Sequence, residues 1–191
     1  MTGFESHQQR AVPRRPPSMT DDVRAAQAGD AEARDRLLRA FWPRAYRLAY
    51  AVLGDRPAAE DAAQDALIRI DARLNDLREA AAFPVWSARI VMNTARDAAR
   101  RRNTHASLDE AQASGRFDDG AALRIDLAEA LAALPAWLRE PVVLCYLEGF
   151  TSAEAGAALG APAATIRFRL LLARRRLAAA LGGPMQTEAA G

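Results

Sequence analysis

Apolar positions along this chain recur at helical rather than strand spacing. Leu37, Leu38, Phe41, Leu48 and Val52 share one face of a helix that Asp30 is placed to cap. Pro43 lies inside that run and predicts a kink or break, because proline lacks the N–H a helix interior uses. Gly54 and Asp55 close this helix and open the next, with Pro57 two residues further on. There Ala63, Ala66, Leu67, Ile70, Leu74 and Leu77 form an apolar face on a helix expected over 57–77. A further helix is expected from Phe83 and Pro84 to Arg102.

The periodicity then lapses. Residues 103–122 hold scattered apolar positions, two glycines and the acids Asp109, Glu110, Asp118 and Asp119, as a linker does. The stretch is longer than a compact domain usually leaves without structure, so it should separate two domains. Beyond it, 126–134 reads as a short amphipathic helix stopped at Pro135, and 137–147 is apolar enough to be buried. Glu148 and Gly149 make a turn, and Thr151 with Glu154 fits a capping box for a short helix to Leu159. Gly160 turns the chain and Pro162 opens a last helix through Leu181, giving a helix-turn-helix pattern. The expected class is all-α. Two helical domains, 21–102 and 123–182, are joined by a flexible acidic linker, with a disordered arm at 1–20 and a disordered tail at 183–191.

Composition narrows the function. Alanine, the best helix former, makes up about a quarter of the 191 residues. The net charge is only +2, yet all 26 basic residues are arginine. Arginine's planar fork suits phosphate and base edges, although coding bias produces the same usage. A single cysteine, Cys145, excludes a disulfide framework or a zinc site, and its apolar surroundings predict a buried thiol. No run approaches the ~20 apolar residues of a membrane span. The first twenty residues lack the apolar stretch of a signal peptide, so a cytoplasmic protein without membrane insertion is expected. There is no glycine-rich phosphate loop, no HExxH and no nucleophile elbow. Neither an enzyme nor a cofactor or metal is expected.

Three charge patterns remain. On the last helix, Ile166, Leu170, Ala173 and Leu177 project to one face at about 100° per residue. Ala164, Phe168, Leu171 and Arg175 project to the other, flanked by Arg167 and Leu172. Five arginines and no acid fall between 167 and 176, as on a DNA-reading helix, while a solvated C-terminal helix carries similar charge. On the 83–102 helix, Arg89, Asn93, Arg96 and Arg100 form a second stripe with Trp86 at its border, suited to a groove or a single strand. An ordinary exposed face would look the same. The 57–77 helix carries Asp61, Gln64 and Asp65 opposite its apolar stripe, a patch that repels DNA and fits a basic protein surface, although an ordinary solvated face is the commoner meaning of this pattern.

Taken in order, AEDAAQDAL (59–67), WSARIVMNTARDAARRR (86–102), ALAALPAWLREPVVLCYLEGFTSAEAGAALG (130–160) and ATIRFRLLLARRRL (164–177) resemble one family. It is the extracytoplasmic-function (ECF) group of sigma-70-type sigma factors of bacterial RNA polymerase. The resemblance implies that 21–102 binds core RNA polymerase and the −10 element, with Asp61, Gln64 and Asp65 docked on the β′ clamp helices. Trp86, Arg89, Asn93, Arg96 and Arg100 would meet −10 DNA, and the loop Asn75–Phe83 would hold a flipped-out base. The linker would thread toward the RNA exit path. The second domain would contact the β flap and read the −35 element through Thr165, Arg167, Phe168, Leu171 and Arg175. An anti-sigma factor that clamps both domains is also implied.

Departures from the family pattern cluster in the second domain. Phe168, Leu171 and Leu172 put apolar bulk where bases should be met, suiting thymine methyl groups or a protein partner. Gly156 interrupts a short helix where the family usually has a packing residue. Two other functions carry similar features. A sigma-like mimic would sequester an anti-sigma factor without initiating transcription, and a stand-alone helix-turn-helix regulator would bind duplex DNA alone.

Overall fold

The computed structural model describes residues 18–106 and 129–181, and every regular element in them is helical. Most of the expected arm and linker, and the whole tail 183–191, lie outside those residues. α1 (Met19–Gln27) begins two residues before the expected domain boundary at 21, because Ser18 caps it. Ser18 Oγ accepts from the Asp21 N–H at 3.3 Å while Asp21 Oδ2 accepts from the Ser18 N–H at 3.1 Å, a reciprocal capping box.

α2 (Ala31–Leu53) is capped by Asp30, whose Oδ1 accepts from the Ala33 N–H at 3.0 Å. The break allowed for at Pro43 does not occur. Pro43 and Arg39 both face solvent, so the carbonyl that loses its helical partner can turn to water. Gly54, with φ 65°, ends α2, and Asp55 Oδ1 accepts from the Ala58 N–H at 2.9 Å to open α3 (Arg56–Arg73).

α3 does not extend over the whole expected span 57–77 but ends at Arg73. From Leu74 the chain makes two 3₁₀ turns, Leu74–Asp76 and Ala80–Ala82, before α4 (Phe83–Ala106). Leu74, Leu77, Ala80 and Phe83 are buried, a spacing of three that matches the 3₁₀ repeat better than the α repeat. α2, α3 and α4 pack pairwise, and α1 lies against α2. Their core holds Leu37, Phe41, Leu48, Ile70, Phe83 and Met92, with the Phe41 and Phe83 rings edge to face at 5.4 Å.

In the second unit, residues 129–133 are helical and lead to α5 (Ala136–Val142), which continues as a π-helical turn over Val143–Leu147. Leu138 and Leu144 are fully buried, but Trp137, Tyr146 and Leu147 are exposed, against the expectation of a buried run. A helix this short turns one face to the core, and the widened turn swings its last residues outward. Cys145 is only half-buried; burial pushes its thiol up, with Glu154 adding to the effect.

α6 (Ser152–Leu159) carries the expected capping box. Thr151 Oγ1 accepts from the Glu154 N–H at 3.2 Å, and Glu154 Oε2 accepts from the Thr151 N–H at 2.8 Å. α7 (Ala163–Ala180) follows the turn at Gly160, whose φ is 68°.

Gly156 has a packing reason. A Cβ there would meet the Ala161 carbonyl oxygen at 2.5 Å, while the Ala161 N–H donates to the Gly156 carbonyl at 2.9 Å. The turn between α6 and α7 therefore crosses the helix where no side chain fits. Gly156→Ala gains helix propensity but overpacks this crossing, so a net destabilisation of about 1–3 kcal/mol is expected. Denaturant unfolding checks it; an unchanged midpoint would mean that the turn relaxes freely.

The two units share one apolar core: α5 packs on α2, and α6 on α4.

Candidate nucleic-acid interface

Asp61, Gln64 and Asp65 stand together on the exposed face of α3, away from buried Ala59, Ala63, Ala66 and Ile70. One turn on, Ile68 continues that face and is 68% exposed, the highest value among the large hydrophobic side chains of the described residues. The sequence reading missed Ile68, although its place outside the apolar stripe was the available signal. Asp61 and Asp65 also line a groove whose opposite wall is Ala98, Arg101 and Arg102 of α4. The acidic face and the basic helix are therefore adjacent.

On α4, Arg89, Asn93 and Arg100 are exposed as a stripe, and Arg100 pairs with Asp97 on its own helix. Trp86 is half-buried, its ring 6.0 Å from that of Phe83. Arg96 differs from its neighbours. Its Nε donates to Glu140 Oε1 at 3.2 Å, its Nη2 donates to Glu140 Oε2, and its Nη1 donates to the Leu159 carbonyl at 3.5 Å. Glu140 belongs to α5 and is buried, so this forked pair joins the two domains.

Four more contacts cross the same boundary. Glu148 receives Arg44 at 2.7 Å and Arg47 at 2.9 Å, with its own side chain almost fully buried. The Arg44 guanidinium also lies 4.9 Å from the centre of the Phe150 ring. Burial holds the Arg44 pKa below its ordinary value, and the Glu148 carboxylate opposes that shift. Arg139 Nε donates to the Ala51 carbonyl at 2.6 Å and its Nη1 to the Ala132 carbonyl at 2.9 Å. It thereby satisfies a carbonyl in the last turn of α2 that the helix itself leaves open. From the sequence Glu148 reads only as part of a turn, and Glu140, Arg44 and Arg139 were not singled out.

On α7, Ile166, Leu170 and Ala173 are buried and Leu177 half-buried, the face expected to pack. Arg167, Phe168, Leu171 and Arg175 are exposed together, and Thr165 is half-buried at the start of the helix. Phe168 is 58% exposed and Leu171 40%. Leu172 packs partly against the core, so the apolar surface on offer consists of Phe168 and Leu171. Arg176 leans over Trp137, 6.0 Å from its ring centre. Among the described residues no cluster of metal-ligating side chains occurs, and no helix is long and apolar enough to cross a membrane.

Comparison with known proteins matches both domains. Sigma-70 region 2 matches residues 37–105, and sigma-70 region 4 matches residues 124–177. The ECF RNA polymerase sigma factor SigM of Mycobacterium tuberculosis is 32% identical, over 81% of this chain and 80% of that protein. The ECF RNA polymerase sigma-E factor of Escherichia coli is 30% identical, over 83% of this chain and 93% of its own. SigE of Mycolicibacterium smegmatis is also 32% identical, and the chain spans 59% of its length. Among solved structures, the sigma factor RpoE of Bartonella quintana, in complex with the anti-sigma factor NepR, is similar at a TM-score of 0.68. It shares 25% identity, with 78% of this chain and 96% of that one covered.

Proposed function

The chain belongs to the ECF sigma factors of RNA polymerase, and from that membership we propose how its surfaces divide the work of transcription initiation. Asp61, Gln64, Asp65 and Ile68 dock on the β′ clamp helices of core polymerase, an apolar residue inside a polar rim. Trp86, Arg89, Asn93, Arg96 and Arg100 lie along the −10 element, where arginine neutralises phosphate and asparagine meets a base edge. The Asn75–Phe83 loop receives a base extruded from the stack. Thr165, Arg167, Phe168, Leu171 and Arg175 enter the major groove at −35. The second domain also meets the β flap.

One observation carries this division: two exposed arginine faces, on α4 and α7, in a chain whose α3 presents an exposed acidic face. The chain performs no bond chemistry. Tethering two DNA readers raises the effective concentration of each at its element once the other is bound, and it tests the spacing between them. Capture of an unstacked base then favours the open strand.

Promoter binding has a geometric requirement. Arg96 must exchange the Glu140 carboxylate for DNA phosphate, so α5 and α4 have to part where they meet. An anti-sigma partner that gripped both domains would oppose that exchange. The likeness to a sigma factor solved with an anti-sigma factor supports such a partner.

The −35 reading makes a chemical prediction. Phe168 and Leu171 offer apolar contact to thymine methyl groups. Replacing a contacted thymine by uracil, which lacks the methyl, should weaken −35 binding about fourfold, the equivalent of ~0.8 kcal/mol for one buried carbon. Leu171→Ala should abolish the difference between the two bases. Competition binding of polymerase containing this chain to thymine and uracil promoters measures it. Equal affinities at every −35 position would remove the methyl-reading role.

A further inference from the structure

Gln27 ends α1, yet its side chain is committed to a segment 47 and 50 residues away. Its Nε2 donates to the Leu74 carbonyl at 2.9 Å and to the Leu77 carbonyl at 2.7 Å. A carboxamide nitrogen carries two protons, and here each has an acceptor. The two carbonyls bracket the first 3₁₀ turn after α3, which is itself closed by the Leu77 N–H on the Leu74 carbonyl at 3.3 Å.

Beyond that turn the chain is pinned at every third residue. Leu74, Leu77, Ala80 and Phe83 are buried, and the pairs between them, Asn75 with Asp76, Arg78 with Glu79 and Ala81 with Ala82, face solvent. Apolar anchoring fixes how deep the segment sits. It does not fix how the peptide planes between anchors are turned, because the contacts are non-directional. The Gln27 bonds are directional and supply that constraint for the part of the loop bearing Asn75 and Asp76. Gln27 is half-buried, whereas Asn75 and Asp76 are exposed.

We propose that Gln27 is a positioning residue for capture of the extruded −10 base. By holding the Leu74 and Leu77 carbonyls, it sets the direction in which the exposed polar edge of the 74–83 loop presents hydrogen-bonding groups. The proposal rests on the −10 reading given above. An extruded base is recognised by hydrogen bonds along its edge, and these weaken steeply with misalignment. A loop already held in one turn binds without the ordering entropy that a looser loop loses at every capture.

Two substitutions test this in the full chain bound to core RNA polymerase. Gln27→Met keeps a similar length and apolar stem but removes both donors. Gln27→Lys returns donors at the end of a similar stem. The probe is promoter DNA with 2-aminopurine placed at each non-template −10 position in turn, whose fluorescence rises when the base leaves the stack.

At the position that brightens with the unsubstituted chain, Gln27→Met should lower the extruded fraction about tenfold. Gln27→Lys should return it to within about threefold of the original. Affinity for core polymerase should be unchanged in both, while Gln27→Met, which takes a donor from two part-buried carbonyls, should lower the thermal midpoint by several degrees and leave the chain folded at assay temperature. The proposal is overturned if Gln27→Met brightens like the original, if Gln27→Lys restores nothing, or if core affinity falls in parallel. If the unsubstituted chain brightens at no position, the −10 reading itself fails, and this role for Gln27 falls with it.

Discussion

Arg96→Ala is expected to weaken the association of the two domains by up to about 3–5 kcal/mol, because Glu140 then keeps a buried charge without its cation. Separation of the domains rehydrates that carboxylate, so the loss is capped at the free energy holding them together. Calorimetry of the full chain should then show unfolding spread into two transitions. Adding Glu140→Gln removes the stranded charge and should restore cooperativity. Binding to −10 single strands should stay low in both variants, because the guanidinium is absent from each. Glu140→Gln alone should act in the opposite direction. It leaves Arg96 without a competing carboxylate, and the free chain should bind −10 strands about tenfold more tightly. If Arg96→Ala left the calorimetric profile unchanged and Glu140→Gln left strand binding unchanged, the forked pair would have neither role.

The second large effect concerns α3. Asp61→Arg together with Asp65→Arg should lower affinity for core polymerase at least about 100-fold, since like charges set against each other in an interface cost several kcal/mol. Both residues are exposed, and the buried face of α3 is untouched, so the fold should survive. Ile68→Ala probes the same surface without charge and should cost about 1–2 kcal/mol if the side chain is covered on docking. Co-sedimentation with core polymerase measures both variants. Loss of affinity with retained helicity is the expected pattern. Wild-type affinity in the doubly reversed variant would place the docking surface elsewhere.

What the sequence disclosed follows from the range of each interaction. The caps at Asp30, Asp55 and Thr151 were legible because each cap and the N–H that donates to it lie three residues apart. The buried and exposed faces of α7 were legible because one helix repeats its own period. Leu74 and Leu77 misled, since a spacing of three fits an α-helix and a 3₁₀ turn equally well over so short a run. The exposure of Trp137, Tyr146 and Leu147 was hidden for a related reason: an apolar run does not reveal how many of its faces find a partner.

The contacts that tie the domains together had no local signature at all. Arg96 and Glu140 are 44 residues apart, and Arg47 and Glu148 are 101. Each of these residues reads on its own as an ordinary charged position on a helix or turn. The Arg96 stripe was therefore legible as a candidate DNA face while its present occupant, Glu140, was not. Gly156 shows the same limit: its cost to the helix could be read locally, but the Ala161 carbonyl that requires it could not.

The central claim is that this chain turns core RNA polymerase into a promoter-specific enzyme complex. The most direct measurement is transcription by core polymerase with the purified chain on a library of randomised upstream sequences, with every transcript start mapped. Transcript starts should depend on the chain and share two upstream elements at a fixed spacing. Arg89→Ala with Asn93→Ala should scramble the nearer element, and Leu171→Ala should relax the farther one. A chain that binds core polymerase yet yields no chain-dependent start anywhere in the library would contradict it.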